Sequence, residues 1–443
     1  MGPSRRGTAV GGRWIAILGV LALVLGGALV PSVAGARQAE TTLTFWDTQT
    51  AGVQLEVVEQ LATEFEEAHP GVTVEHQGLP LEELQETLPR AMQSGEGPDV
   101  TQVNNGENLM GPMVRAKYLV PLTDYDAQYG WTTDLSPGLV ARNRYTDDGV
   151  TFGEGTLWGV SNTAEIVGFY YNKQIFEDNG VAVPTTFEEL EAAMQTFADA
   201  GVTPLVLGNL DVYQSIHLFG TVHATMTTRE YLDGLIYRSG DQSWETDEIK
   251  AAATKLREWV EKGYLIDGFE GLATDDAWPL FGAGEGAMLL QGSWQAGDIQ
   301  TALGENGGFF PVPPASDATV LHVGGVGIPY GITTSAEDQD LAAELVDFLV
   351  GDRAREVLLE KGQLPAGEIA AEEIVEGTVS GDVYTAWNTA LANDQLGHYM
   401  DWATPTMYDT ITDQLQQLLA GEATPEEFAA ALQTDYADYL AGQ

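Results

Sequence analysis

The chain has no cysteine among its 443 residues. Disulfide bonds, thiolate catalysis, cysteine-ligated metals and attachment through a lipidated cysteine are therefore excluded. The sequence also lacks the G-x-S-x-G, H-E-x-x-H and P-loop motifs of hydrolytic, zinc and phosphate chemistry. Its six histidines are scattered along the chain. We therefore expect neither a cofactor nor a metal site.

Basic residues are scarce. Lys and Arg together number 19 against 66 Asp and Glu, which gives a formal net charge of −47. Because such a surface repels phosphate groups, nucleic acid is excluded as a partner. Densely placed carboxylates hold water and ions and repel one another in dilute buffer. We interpret the composition as an adaptation to high salt, with an ordinary acidic exported protein as the alternative.

Long apolar runs are almost missing as well. One run, from Trp14 to Val30, follows three arginines and precedes the small residues Ala34-Gly35-Ala36. This order is typical of a signal peptide and predicts cleavage after residue 36, with a retained anchor helix as the alternative. No second stretch approaches the ~18 apolar residues that a membrane helix needs. We therefore expect an exported protein.

Short apolar segments alternate with segments of helical period along the rest of the chain. The predicted strands are 43–46, 72–76, 99–103, 166–171, 203–207 and 287–290, and the predicted helices are 54–69, 81–94, 172–179, 186–200, 248–262, 341–350, 353–361 and most of the tail from Pro405. Such alternation predicts open α/β sheets. Ligands bind beyond the carboxyl ends of strands in these folds, where residues 48–52 and 104–108 are expected.

Five segments carry a resemblance to a known family. They are LTFW at 43–46, GPDV at 97–100, LWGVSN at 157–162 with YYNK at 170–173, FGAGEGAM at 281–288 with GSW at 292–294, and Gly421 with TPEE at 424–427. In this order they resemble motifs of extracellular solute-binding protein family 1, the sugar-binding proteins of ABC transporters. The likeness covers almost the whole chain after residue 36. Many members carry a lipid-bearing cysteine, so its absence here leaves the mode of retention open.

The resemblance implies a two-lobed, periplasmic-binding-protein-like α/β fold of type II, with the ligand in the cleft between the lobes. It places 37–162 and 312–363 in lobe 1, and 163–311 and 364–443 in lobe 2, with crossings near 161–164, 309–311 and 363–366. It also implies a function: a monomer without enzymatic activity captures a sugar or oligosaccharide by hinge closure. The protein then delivers the ligand to the permease subunits of an ABC transporter.

A sugar site needs an aromatic plane for the C–H face of the ring and carboxylates or amides for the hydroxyl rim. The candidates are Asp47, Thr48, Gln49, Asn104, Asn105, Asn162, Asp211, Tyr213, Trp294, Gly325, Asp401 and Trp402. Trp294 is the strongest of them, because Gly292 and Ser293 place it on a tight segment after a predicted strand. The candidacy of Asp211 and Tyr213 rests on the resemblance. The alternative for each residue is a structural role in the core or in a turn.

The alternatives to a sugar are polyamines, oxidised metals and oxyanions as ligands, and an enzymatic or structural function. An oxyanion site would want Lys or Arg near helix starts, and the candidate loops carry almost none. This scarcity favours a neutral ligand and leaves a cationic one, such as a polyamine, open. A secreted carbohydrate-active enzyme would use paired carboxylates, but 66 acids make neighbours such as Asp275 and Asp276 expected by chance. A structural or adhesive module would show repeats that the sequence lacks.

Overall fold

The computed structural model describes residues 41–315 and 320–442, so the predicted signal peptide lies outside the described residues. The strands are β1 Thr41–Asp47, β2 Val72–Gly78, β3 Val100–Gln102, β4 Arg144–Tyr145, β5 Thr156–Leu157, β6 Ala164–Asn172, β7 Leu205–Val206, β8 Met288–Gly292, β9 Gly307–Pro311, β10 Gly324–Val326 and β11 Tyr330–Ile332. The helices are α1 Gly52–Ala68, α2 Leu81–Ser94, α3 Met110–Arg115, α4 Thr123–Tyr129, α5 Pro137–Ala141, α6 Lys173–Asp178, α7 Phe187–Asp199, α8 Tyr213–His223, α9 Arg229–Ile236, α10 Asp247–Glu261, α11 Thr274–Gly282, α12 Ala296–Leu303, α13 Gln339–Val350, α14 Asp352–Glu360, α15 Val379–Ala392, α16 Met407–Leu419 and α17 Pro425–Ala441. Each predicted strand and helix overlaps one of these elements.

The first sheet has the strand order β11-β3-β1-β2. β1 pairs in parallel with both β2 and β3, while β11 is antiparallel to β3. The carboxyl ends of β1 and β3 therefore meet at one edge, which brings the segments after Asp47 and Gln102 together. α1 packs beside these strands because Val57, Leu61 and Phe65 form its buried stripe.

The second sheet has the order β10-β6-β8-β7, with β9 also paired to β6. β6 runs antiparallel to β8, β9 and β10, whereas β7 and β8 are parallel. β10 lies inside the range 312–363 expected for lobe 1, yet it pairs with β6 of the second sheet. The crossing expected near 309–311 falls at the end of β9, and the pairing of β10 with β6 keeps residues 324–326 on the second sheet as well.

The chain instead returns to the first sheet between β10 and β11. Three crossing segments lie side by side here, joined by the bridges Val160–Tyr330 and Thr163–Pro365. The Gly327 amide also donates to the Thr163 carbonyl at 2.8 Å. Neighbouring short segments of this kind can absorb a change of angle between two sheets.

One helix, α8, carries no amphipathic signal in the sequence. In α8 every residue from Gln214 to His223 is buried, so the apolar stripe that marks a surface helix is missing. This burial explains why α8 was not predicted. Within the described ranges, no helix combines the length and apolar character needed to span a membrane.

Candidate functional site

A cavity of about 410 Å³ lies between the two sheets. Its wall is built from the loop after β1, the segment after β3, the crossing at 162–165, the starts of α8 and α11, the turn after β8, and residues 399–402. Among the predicted site residues, those on the wall are Thr48, Gln49, Asn104, Asn105, Asn162, Asp211, Tyr213, Trp294, Asp401 and Trp402. Residues from distant parts of the chain thus meet at one place.

Asp47 and Gly325 were expected in the site and lie outside the wall. The Asp47 carboxylate is buried behind the loop, where Oδ1 lies 2.8 Å from His76 Nε2 and accepts the Gln49 amide at 2.9 Å. A Cβ atom at position 325 would overlap the guanidinium of Arg142. Asp47 therefore shapes the loop, and the glycine at 325 makes room for a buried side chain.

Several predicted polar residues are held by other protein groups. The main-chain and hydroxyl donors of Thr48 both bind Gln102 Oε1, at 2.9 and 2.8 Å. Asn105 Nδ2 donates to the carbonyl of Arg142 at 2.8 Å, and Asn162 Nδ2 donates to a main-chain carbonyl of α13 at 3.0 Å. These bonds fix the wall, and they leave fewer amide donors for a ligand than the sequence indicated.

Trp294 presents a partly exposed indole to the cavity directly after β8. A Cβ on Gly292 would overlap that indole, so glycine is needed for the ring to fold back over the strand end. The Trp294 carbonyl accepts Gln54 Nε2 at 3.0 Å, which links the turn to α1. Trp402, by contrast, is only 2% exposed and packs over Gly106. Trp294 is therefore the indole better placed to contact a ligand.

Two acids on the wall have raised pKa values. Burial raises the pKa of Glu165 to about 7, although the Tyr399 hydroxyl donates to its Oε2 at 2.7 Å. Burial likewise raises the pKa of Asp401 to about 6, although Asn108 Nδ2 donates to its Oδ2. Near neutral pH, such acids can either donate or accept hydrogen bonds from hydroxyl groups.

Sequence reasoning missed part of the wall, notably Glu82, His217, Tyr399 and Tyr408. Glu82 lies in the first turn of α2, and the Tyr408 hydroxyl of α16 donates to its Oε1 at 2.6 Å. No local pattern joins these two residues, because they are 326 positions apart in the chain. Tyr399 stands beside the predicted Asp401 and could have been found by that adjacency.

No cluster of three or more His, Asp or Glu side chains suited to a metal ion occurs in the ranges 41–315 and 320–442. Among the described residues, no Lys or Arg lies on the cavity wall. The wall thus combines aromatic rings, amides and carboxylates, which suits an uncharged or positively charged organic ligand.

Comparison with known proteins gives consistent matches. The profile of the bacterial extracellular solute-binding proteins matches residues 51–356. An uncharacterized ABC transporter extracellular-binding protein of Pyrococcus horikoshii is 26% identical over 301 residues, covering 63% of this chain and 65% of that protein. This chain therefore spans slightly less than two thirds of that relative's length.

Solved structures match over most of the chain. A chitin oligosaccharide binding protein has a TM-score of 0.78 at 21% identity, covering 91% of this chain and 100% of that one. A structure from work on xylan utilization by Caldanaerobius polysaccharolyticus has a TM-score of 0.76 at 23% identity, covering 89% and 99%. These matches confirm the predicted periplasmic-binding-protein-like α/β fold.

Proposed function

The chain belongs to the family of bacterial extracellular solute-binding proteins, and we propose that it captures a sugar or oligosaccharide for an ABC transporter. One observation carries this proposal: a cavity of about 410 Å³ has a partly exposed indole, Trp294, beside carboxylates and amides. This volume lies in the range of small-molecule sites, ~300–1,000 Å³. The indole covers the C–H face of a sugar, and the polar groups bind its hydroxyls.

We place the ligand contacts on the predicted residues that line the cavity. Trp294 stacks on a ring, and Asp211, Asp401 and Gln49 accept or donate hydrogen bonds to hydroxyl groups. One matched structure is a chitin oligosaccharide binding protein and another comes from work on xylan utilization, which supports a saccharide here. The family is one of binding proteins, so retention of the ligand without turnover is the expected activity.

Capture by hinge closure is part of the proposal. Two contacts join opposite sides of the cavity: Gln54 Nε2 to the Trp294 carbonyl at 3.0 Å, and the Tyr408 hydroxyl to Glu82 at 2.6 Å. A ligand enters only if such contacts open, and the crossing segments between the sheets are where bending is expected. We further propose export by the signal peptide at 1–36 and delivery of the ligand to the transporter's permease subunits.

Isothermal calorimetry tests this function. The chain without residues 1–36 is titrated in about 2 M salt, where surface charges are strongly screened, with a panel of neutral mono- and oligosaccharides. Release of reducing ends is measured on the same samples. We expect one saccharide bound per chain and no release. Failure of every saccharide in the panel to bind, or turnover of one of them, would overturn the proposal.

A further inference from the structure

We propose that the first turn of α12, residues 296–299, is a latch that holds the cavity shut by docking on the start of α1. Gly297 and Asp298 then set the ligand affinity through this docking. The inference rests on the proposed function, because it says how the same cavity is kept closed. It arises from three features: contacts between two separate cores, a helix start without a cap of its own, and a glycine with no room for a side chain.

The helices α1 and α12 meet beside the cavity but belong to different cores. Val57 and Leu61 of α1 pack in the core of the first sheet, which α14 shares through Val357. Ala296 and Ile299 of α12 pack in the core of the second sheet. A contact between α1 and α12 therefore joins the two halves of the molecule. Such a contact must open when the angle between the two sheets widens.

The start of α1 has no cap of its own. Ala51 precedes the helix without a side-chain hydrogen bond, and the first turn of α1 contains no acid. Asp298 of α12 takes this place, because its Oδ1 accepts the Val53 amide at 3.3 Å. Its Oδ2 accepts Gln295 Nε2 at 2.8 Å, which orients the carboxylate. A carboxylate at a helix start is stabilising, so α1 is capped from the other core.

Gly297 lies where α12 meets the start of α1 and the end of α14. A Cβ atom there would lie 2.6 Å from the Lys361 carbonyl oxygen and 3.1 Å from Val53 Cγ1. On the facing side, a Cβ at Gly52 would lie 2.9 Å from Asp298 Oδ2. A main-chain carbonyl cannot rotate away as a long side chain can, so a larger residue at 297 would hold the helices apart. Close docking is thus a physical reason for glycine in a helix, where it is otherwise unfavourable.

Docking also fixes the indole that we propose to stack on the sugar. Trp294 stands directly before the docked turn, and its carbonyl accepts Gln54 Nε2 of α1 at 3.0 Å. Trp294 lines the cavity, whereas Gly297 does not. The docked turn therefore holds the indole in place from behind the wall. Gly297 and Asp298 are positioning residues, which act on the ligand through Trp294 and through closure.

Gly297→Ala tests the latch without altering the cavity wall. Alanine favours a helix over glycine, so the ligand-free variant should melt no earlier than wild type. Its methyl group obstructs the docking. We therefore expect the saccharide that binds most tightly in the panel to bind about tenfold more weakly by calorimetry. Gly138→Ala in α5 is the control, because no atom lies within 4 Å of an added Cβ there, and it should leave the affinity unchanged.

Two aspartates that cap helices provide a second matched pair. Asp298 caps α1 from the other core, whereas Asp338 caps its own helix α13, accepting the Leu341 amide at 3.0 Å. We expect Asp298→Ala to weaken saccharide binding about fivefold and to melt close to wild type without ligand. Asp338→Ala should do the reverse, lowering the melting temperature and leaving the affinity unchanged.

A double variant separates docking from direct ligand contact at Asp298, whose side chain reaches the cavity wall. If both residues act through docking, Gly297→Ala has already opened the latch, and adding Asp298→Ala should weaken binding little further. Fully additive losses would assign Asp298 to the ligand and overturn its place in the latch.

The outcomes separate this inference from the proposed function. Wild-type saccharide affinity in Gly297→Ala would overturn the latch and leave the proposed function standing. Earlier melting of ligand-free Gly297→Ala would also overturn the latch, because the docking would then be a permanent contact of the fold. Failure of every saccharide in the panel to bind wild type would overturn the proposed function and the inference that rests on it.

Discussion

At the scale of single residues, the proposed contact between Trp294 and the ligand can be tested by mutation. Its indole is partly exposed at the cavity and lies over Gly292. Truncating an aromatic anchor typically costs ~2 kcal/mol or more in binding, which is at least tenfold in affinity. Trp294→Ala should therefore melt close to wild type without ligand, yet bind the saccharide at least tenfold more weakly by calorimetry.

Trp294→Phe is the control, since it keeps an aromatic plane and should recover part of the affinity. A core tryptophan behaves differently, because its loss costs ~3 kcal/mol or more of folding free energy. If Trp294→Ala melts much earlier than wild type but keeps wild-type affinity below its melting temperature, Trp294 belongs to the core.

Glu165 gives a pH prediction. Its pKa is about 7 in the folded chain against an ordinary 4.5, so the folded state holds its proton more tightly than the unfolded state. The stability from this group is therefore full below about pH 4.5 and is lost as the pH rises through 7. The loss is at most about 3.4 kcal/mol, at 1.36 kcal/mol per pKa unit.

Glu165→Gln removes this titration while keeping an acceptor for the Tyr399 hydroxyl. The variant should be about as stable as wild type at pH 5 and more stable at pH 8, measured by urea unfolding of the ligand-free protein. Glu285→Gln, at an exposed turn after α11, is the matched control. Its difference in stability from wild type should be the same at both pH values. A Glu165→Gln difference that does not change between the two pH values would contradict the burial of that carboxylate.

At the scale of elements, the close packing of β10 against Arg142 gives a prediction about stability. The chain enters β10 at Gly324 and Gly325, and a side chain at 325 would overlap the buried Arg142 guanidinium. Overpacking a core typically costs ~1–3 kcal/mol. Gly325→Ala should lower the free energy of unfolding by about that amount, measured by chemical denaturation. Gly271→Ala, where no atom lies within 4 Å of an added Cβ, should change the free energy of unfolding little. If both variants lowered it equally, the overlap with Arg142 would not explain the effect at position 325.

The elements also show what the sequence could predict. β1, α1, β2, α2 and β3 follow from local pattern, because each has an apolar stripe or alternation that ends at a turn residue. The helix α8 could not be predicted, since its burial on all sides leaves no period. The pairing of β9 and β10 with β6 is set by long-range contacts that no local signal encodes.

The same limit applies to the site. Thr48, Asn104 and Trp294 could be predicted because each follows a strand, and the edges of α/β sheets present ligands. Glu82 and His217 lie inside helices and reach the cavity only through the packing of α2 and α8. Asp47 also fits the strand pattern, but its carboxylate contacts His76 of the adjacent strand β2 and lies outside the cavity wall.

At the scale of the whole molecule, the net charge gives a prediction about stability. The chain carries a formal charge of −47, and removal of residues 1–36 would take away three arginines and no acid. Mutual repulsion of this size destabilises the compact state, and added ions screen it over ~10 Å at 0.1 M and less than ~3 Å at 2 M. We expect the melting temperature to rise clearly between these two concentrations. A flat or falling melting temperature would contradict the interpretation as salt adaptation.

We expect the two sheets to close on a ligand, a change that belongs to the known repertoire of ligand-driven motions. Small-angle X-ray scattering, recorded on the chain without residues 1–36 in about 2 M salt to suppress repulsion between molecules, tests it most directly. Profiles are compared with and without a saturating amount of the saccharide that binds most tightly in calorimetry. We predict a smaller radius of gyration with the saccharide bound. A profile that stays unchanged at saturation would contradict closure and describe a rigid binding module instead.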